Sequence, residues 1–302
     1  MKDSISTGRK IGSGQVVLMI VLGLFALFCL LPVLLVVIVS FTDKSSIAAK
    51  GFSFFPNAMS LDGWRYVLKY GHQLVQSYKI TIFETVAGTG LTLLFTSMFA
   101  FALSRKSFPL RGFLSIFLLI PMLFHGGMVA NYILLTNYYG LRDNLLVLIL
   151  PGAVGAYNCI VMRTFIQNYV PDSLVEAAKI DGANEFFVFF RVIIPLIVPS
   201  LGAIGFITAI AHWNEWQTAY LYIDNPDRAT LQLVLIRIEK SLEYLKENMS
   251  RLTPEELAEL NNAPSEPMRM AILLVVLGPI LVAYPFFQRF FIKGITVGAV
   301  KG

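Results

Sequence analysis

This 302-residue chain is short of cysteine, histidine and charge, and each shortage removes a class of protein. Its two cysteines, Cys29 and Cys159, both fall inside long apolar runs. That placement reads as buried thiols and argues against a disulfide, a metal site or a nucleophile. The three histidines, His72, His125 and His212, show no spacing that suggests shared ligation. Charged residues make up 14% of the chain, far below the roughly 25% of soluble domains. No Gly-rich loop ending in Gly-Lys-Ser/Thr occurs, so no phosphate cradle is present and any ATP must be bound by another chain. Basic patches with interleaved aromatics are missing too, so the net charge of +5 does not speak for nucleic acid. Nor is there a clustered nucleophile, metal or acid/base set of the kind a membrane-embedded enzyme needs.

What the chain has in abundance is apolar length. It is 56% hydrophobic, with a mean hydropathy of +0.68. A membrane-crossing helix needs about 20 such residues in a row. Six stretches qualify, near 16–40, 80–104, 112–136, 144–166, 195–222 and 270–292. The third and fourth carry helix breakers, Pro121 with His125-Gly126-Gly127, and Pro151 with Gly152 and Gly155. Such residues survive in spans where neighbouring helices or a lined cavity re-satisfy the backbone. The run from Val16 to Val39 is too long for a signal-peptide core and lacks a clean cleavage site, so it reads as a retained helix. The expectation is an all-α polytopic membrane protein of six transmembrane helices, residues 1–302 forming one transmembrane domain.

Basic residues set the orientation. With the N-terminus inside, Lys2, Arg9, Lys10, Arg105, Lys106, Arg111, Arg163, Lys179, Arg191, Arg289, Lys293 and Lys301 lie on the inner side. These are 12 of the 24 basic residues, so the raw count decides nothing. The outer ones, Arg142 apart, sit in two long loops, 41–79 and 223–269, where the rule is weaker. The tight Arg105–Arg111 loop is the cleanest inside signal, and both termini are expected in the cytoplasm. In the first outer loop Pro56, Trp64, Tyr66 and Tyr70 suit an interface. In the second, Leu231 to Leu245 has the spacing of an amphipathic helix. Thr253, Pro254 and Glu255-Glu256 read as the start of a short acidic helix. Both loops read equally well as solvated connections or as partner contacts. Asn248-Met249-Ser250 fits a glycosylation sequon, a weak match.

Between the fourth and fifth apolar runs lies a polar, Gly-punctuated loop, 167–194. Asp172 and Ser173 offer capping oxygens, and Ser173-Leu174-Val175-Glu176 has the spacing of a capping box. Gly182 suits the left-handed position that closes a helix. The spacing predicts a two-turn stub from Leu174 to Asp181, whose Ala177-Ala178 pair gives a low-profile face for a partner's groove.

Those residues carry a resemblance. Glu176-Ala177-Ala178, Gly182 and Val192-Ile193-Ile194-Pro195 resemble the cytoplasmic "EAA" loop of ABC-importer permeases, over 20 positions at fixed spacing. Val192 and Ile194 replace the pattern's Ile and Leu conservatively. The run from Pro285 to Gly294 and the end Val297 to Gly302 are similar to the tail of carbohydrate-importer permeases. Met162-Arg163-Thr164-Phe165 and His212-Trp213-Asn214 resemble the branch handling oligo- and polysaccharides, the alginate importer's smaller permease included. The resemblance implies the fold of a type I ABC importer permease in a bacterial inner membrane, working by alternating access. It implies that Glu176, Ala177, Ala178, Asp181 and Gly182 dock on an ATPase subunit, with Lys301 and Gly302 near the ATPase dimer. Gly294, Gly298 and Gly302 otherwise read as a flexible end. It further implies two ATPase subunits binding ATP and Mg, a different and larger second permease chain, and an extracytoplasmic sugar-binding protein. No cofactor is expected in this chain.

For the substrate path the residues themselves point to His212-Trp213-Asn214-Glu215-Trp216, polar and aromatic within an otherwise apolar run. On one continuous helix His212, Glu215 and Trp216 share a face. Ionisable groups in a span face a bundle interior or water, because facing lipid costs several kcal/mol. Rings beside hydrogen-bonding groups suit a sugar, though an interfacial aromatic belt has the same composition. Glu84 and Asn131 are lesser lining candidates. An ion-coupled secondary transporter is the rival class, and it needs its own coupling site. The chain has few intramembrane carboxylates for one.

Overall fold

A computed structural model describes residues 13–69, 71–124, 126–248 and 265–299. Lys2, Arg9, Lys10, Tyr70, His125, the Thr253 helix, Met249 and Ser250 of the sequon, Lys301 and Gly302 lie outside the described residues. The chain is all-α; among the described residues the extended pairing is a single antiparallel bridge, Thr42 to Met59. In chain order the helices are α1 Ser13–Ser40, α2 Lys44–Lys50, α3 Asp62–Lys69, α4 Gly71–Ser104, α5 Arg111–Leu123, α6 Met128–Ile133 and α7 Ala156–Tyr169. There follow α8 Asp172–Ile180, α9 Glu185–Phe187, α10 Ile194–Leu196, α11 Val198–Trp213, α12 Gln217–Tyr222, α13 Leu231–Asn248 and α14 Glu266–Ala299. A wide π turn, Val188–Ile193, joins α9 to α10.

Each of the six apolar stretches carries helix, but not six uniform rods. Gly14–Ser40, Gly71–Ser104 and Glu266–Pro285 are long and apolar enough to cross a bilayer unaided. The second expected span thus starts nine residues early, at Gly71 instead of 80. The third is a bent pair, Arg111–Leu123 with Met128–Tyr138. The fourth departs most from the 144–166 expectation. Asn144 caps a 3-10 turn at Leu145–Leu148, and turns follow through Pro151 and Gly152. Proline and glycine there deny the helix an N–H and a stiff backbone. Helix α7 therefore begins only at Ala156 and has 14 residues, about 21 Å at 1.5 Å per residue.

The fifth expected span, 195–222, is also broken. Glu185–Leu196 meets Val198–Trp213 at 80°. At the far end α11 stops at Trp213, where the Asn214 amide donates to the Ile210 carbonyl at 3.0 Å. A side chain bonding back to the previous turn competes with helix continuation.

The chain divides into two compact units, residues 1–69 with 244–274 and residues 70–243 with 275–302. In the first, Phe41 stacks on Trp64 with centroids 5.5 Å apart. Gly63 sits against the Pro267 carbonyl, where an added Cβ would lie 2.8 Å from the oxygen. Helix α1 is apolar from end to end, and its spanning window is wholly exposed. Cys29 lies on that face and is exposed on the surface of the chain, a correction to the buried thiol expected. The reason is that a helix apolar all round is covered by lipid or a partner, not necessarily by its own chain. Cys159 is fully buried, as expected.

In the second unit α4 is the central post, packed against α11 and α7. Its buried stripe runs Ser77, Thr81, Glu84, Gly88, Thr92, Thr96, Ala100, residues three or four apart on one face. Small and hydroxyl side chains let membrane helices approach closely. Apolar clusters close the two ends. One joins Ile80 with Val147, Ile149, Tyr222 and Leu233, and the other joins Phe101 with Met162, Val175, Phe189 and Ile197. Between them lies a polar layer.

Candidate functional site

The stub after α7 is a real helix, but it starts two residues earlier than the capping-box pattern indicated. Pro171 is extended (ψ 133°) and no side chain caps the first turn. Proline's locked φ is pre-organised for helix entry, so Asp172 and Ser173 become its first helical residues instead of its caps. The Leu174 N–H bonds to the Pro171 carbonyl at 3.2 Å. The far end is as expected. Gly182 takes φ +81°, its N–H donates to the Lys179 carbonyl at 3.0 Å, and the Ala183 N–H donates to the Ala178 carbonyl at 2.9 Å. That bonding is a Schellman closure, which needs a left-handed residue at its corner. Val175 is fully buried and Ala178 half-buried, while Glu176, Ala177, Asp181 and Gly182 are exposed. Ile180 is 86% exposed and Phe186 67%. The stub thus shows an apolar, small-residue face outward and is pinned through Val175.

The second group of expected residues sits in the polar layer. Glu84 on α4 is 1% exposed and His212 on α11 is 9% exposed. His212 Nδ1 lies 4.0 Å from Glu84 Oε1. Neither Glu84 oxygen has a hydrogen-bond partner among the described residues. The pair is therefore buried inside the helix bundle, where facing lipid would be costly.

The rest of the His212–Trp216 group does not share a helical face, because α11 ends at Trp213. Trp213 is buried, lies tilted against the Tyr78 ring (centroids 6.3 Å apart) and donates its indole N–H to the Val276 carbonyl at 3.2 Å. Asn214 is exposed and its side-chain oxygen accepts from the Gln232 amide at 3.1 Å. The Glu215 carboxylate accepts from the Thr218 N–H at 2.8 Å, capping α12. Trp216 is 42% exposed beside Tyr220. Asn131 is exposed on α6. The structure brings Glu84 and His212 together and leaves Asn131, Asn214 and Trp216 as the outward-facing members.

Residues the sequence reading passed over matter here. Gly88 receives the imidazole: a Cβ on it would lie 2.6 Å from His212 Nε2 and Cε1. No sequence signal separates it from Gly90, two residues further along the same helix. Thr81 accepts from the Leu231 N–H at 2.9 Å, both residues buried. Arg105, just beyond the end of α4, pairs with Asp172 at 3.4 Å. A cavity of about 680 Å³ also opens among Thr85, Thr89, Gly90, Gly202, Gly205 and Pro279. Its apolar lining suits hydrocarbon more than hydroxyls.

An all-α fold with several apolar helices long enough to cross a bilayer, two of the spans broken, is that of a multi-pass membrane protein. The chain belongs to the family described as binding-protein-dependent transport system inner membrane component, whose pattern it matches over residues 88–297. Family membership makes it a multi-pass inner-membrane component of an ABC importer, which works with partner subunits, and sets aside the secondary-transporter alternative. It is 34% identical over 279 residues to the polygalacturonan/rhamnogalacturonan transport system permease protein YtcP of Bacillus subtilis (strain 168), covering 92% of this chain and 95% of that one. It is 27% identical over 285 residues to the arabinooligosaccharides transport system permease protein AraQ of Halalkalibacterium halodurans, covering 92% and 93%. Among solved structures it is similar to a chain of a bacterial ABC transporter involved in the import of the acidic polysaccharide alginate. That likeness has a TM-score of 0.77 at 29% identity, over 91% of this chain and 95% of the other.

Proposed function

We propose that this chain is the membrane-spanning permease of an ATP-driven importer of an oligo- or polysaccharide. The observation that carries the reading is the similarity, over nine-tenths of the chain, to permeases named for polygalacturonan/rhamnogalacturonan and for arabinooligosaccharides, together with the likeness to a chain of the alginate importer. A hydrolytic role for this chain has no support, because the sequence lacks a phosphate-binding loop. ATP hydrolysis falls to two separate ATPase subunits. A different, larger permease chain completes the pathway, and an extracytoplasmic binding protein delivers the sugar. Both termini are cytoplasmic, the side that the Arg105–Arg111 loop marks.

In this reading α8 is the coupling helix. Glu176, Ala177, Ala178, Asp181 and Gly182 form its docking edge, and the small alanines allow close seating in an ATPase cleft. Lys301 and Gly302, outside the described residues, are assigned an ATPase-side role by resemblance alone. Asn131, Asn214 and Trp216 contribute to the sugar path, offering amides for hydroxyls and a ring for an apolar sugar face. Glu84 and His212 order the layer beneath. A screen of the reconstituted complex against oligogalacturonides, arabinan fragments and alginate fragments tests the reading. ATP-dependent uptake of at least one acidic or neutral oligosaccharide is expected. Uptake that proceeds without ATP, driven by an ion gradient, would overturn it.

A further inference from the structure

The cytoplasmic end of α4 makes a charged contact with α8. Helix α4 finishes at Ser104, and Arg105 turns away from it with its N–H on the Ala102 carbonyl at 3.3 Å. The Arg105 side chain is only 16% exposed, whereas that of Asp172, its partner on α8, is 65% exposed. The two meet through Nη1 and Oδ1 at 3.4 Å. The guanidinium lies 5.9 Å from the centre of the Phe101 ring, and Phe101 packs on Phe189 with centroids 5.7 Å apart. An exposed ion pair contributes little, largely because two free side chains must be ordered. Here packing has already ordered one of them. Its Nε–H is buried and without a hydrogen-bond partner among the described residues.

Helix α8 is thus held at three points. Asp172 meets Arg105 at its start, Val175 plugs the apolar cluster at its middle, and Lys179 pairs with Glu185 at its end. The last ties α8 to the segment that leads into α11, and the Val175 cluster holds Phe101 of α4 as well as Phe189 of that segment. Among the described residues the first is the contact that bridges α8 to α4 through charge. We propose that Arg105 is a positioning residue that locks α8 to α4 through Asp172, so that any displacement of α8 moves the helix carrying Glu84. This rests on α8 being the coupling helix.

The test uses the full complex in liposomes, with spin labels at Ser173→Cys on α8 and Val86→Cys on α4 in a Cys29→Ser, Cys159→Ser background. With Arg105 present, the inter-label distance is expected to stay narrow and unchanged when ATP and vanadate are added. In Arg105→Ala it is expected to broaden roughly twofold or shift on nucleotide addition, as two elements lose their shared position. The charge swap Arg105→Asp with Asp172→Arg is expected to restore the narrow distribution, which a general loss of folding would not allow. A distribution in Arg105→Ala identical to that of the parent, or a swap that restores nothing, would overturn the proposal. Ala177→Trp is scored in parallel for ATPase co-purification. Undiminished co-purification removes the coupling reading of α8 itself, whatever the spin labels report.

Discussion

One missing Cβ fixes where an ionisable ring sits. At Gly88 an alanine methyl would lie 2.6 Å from two atoms of the His212 ring, closer than real Cβ contacts come, so the imidazole has to swing away from Glu84. Overpacking of this kind costs about 1–3 kcal/mol. Gly90, on the same helix, has nothing within 4 Å of its Cβ position, and there alanine should help, since a helix-interior glycine costs up to about 1 kcal/mol. The melting temperature of the detergent-solubilised complex should therefore fall in Gly88→Ala and hold or rise in Gly90→Ala. Similar melting temperatures for the two variants would mean that the ring is not socketed by Gly88. Glu84 and His212 were both legible from sequence as ionisable groups in apolar runs. Their pairing was not, because it joins residues 128 positions apart (212 minus 84). Gly88 and Gly90 are alike as letters, and only tertiary packing separates them.

Helix α8 shows what local chemistry can and cannot announce at the scale of an element. Its existence and its Gly182 stop were legible because a left-handed closure is a local requirement. Its start was misplaced because Pro171 pre-empts the cap and Arg105, 67 residues away, takes the Asp172 carboxylate. Likewise the apolar run through 195–222 hid the stop at Asn214, where one amide bonds back to Ile210. Gly182→Pro is the sharp test of α8 as a working element. Proline's φ is fixed near −65°, against the observed +81°, and it removes the N–H that bonds Lys179. Stimulation of ATPase activity by sugar-loaded binding protein is expected to disappear. Gly182→Ala, which can reach the left-handed region at a cost of roughly 1–2 kcal/mol, is expected to keep part of it. If full stimulation survives in Gly182→Pro, α8 does not couple the two activities.

For the whole molecule the question is which end of α4 faces the cytoplasm, and the second unit ties the answer together. With 34 residues, α4 is about 51 Å long at 1.5 Å per residue, enough to pass from one aqueous side to the other. At its first turns Gln76 donates to the Asp227 carbonyl at 3.3 Å. Close by, Arg142 pairs with Asp224, and Arg228 with Asp143, in a polar knot. At its last turn Arg105 pairs with Asp172 of α8. Lys106 and α8 must therefore share one side, and Asp227 must share the other with Arg142. In the proposed orientation, the crowding of Arg105, Lys106 and Arg111 into one short loop marks the first side as cytoplasmic. In a background of Cys29→Ser and Cys159→Ser, a membrane-impermeant maleimide applied to spheroplasts should label Asp227→Cys. Lys106→Cys and Glu176→Cys should label only after the membrane is opened. Labelling of Lys106→Cys and Glu176→Cys from outside would invert the topology and place α8 where no cytoplasmic ATPase can reach it. Opposite behaviour of those two would instead break the link between α4 and α8, since a helix end and the stub paired to it cannot lie on opposite sides of one bilayer.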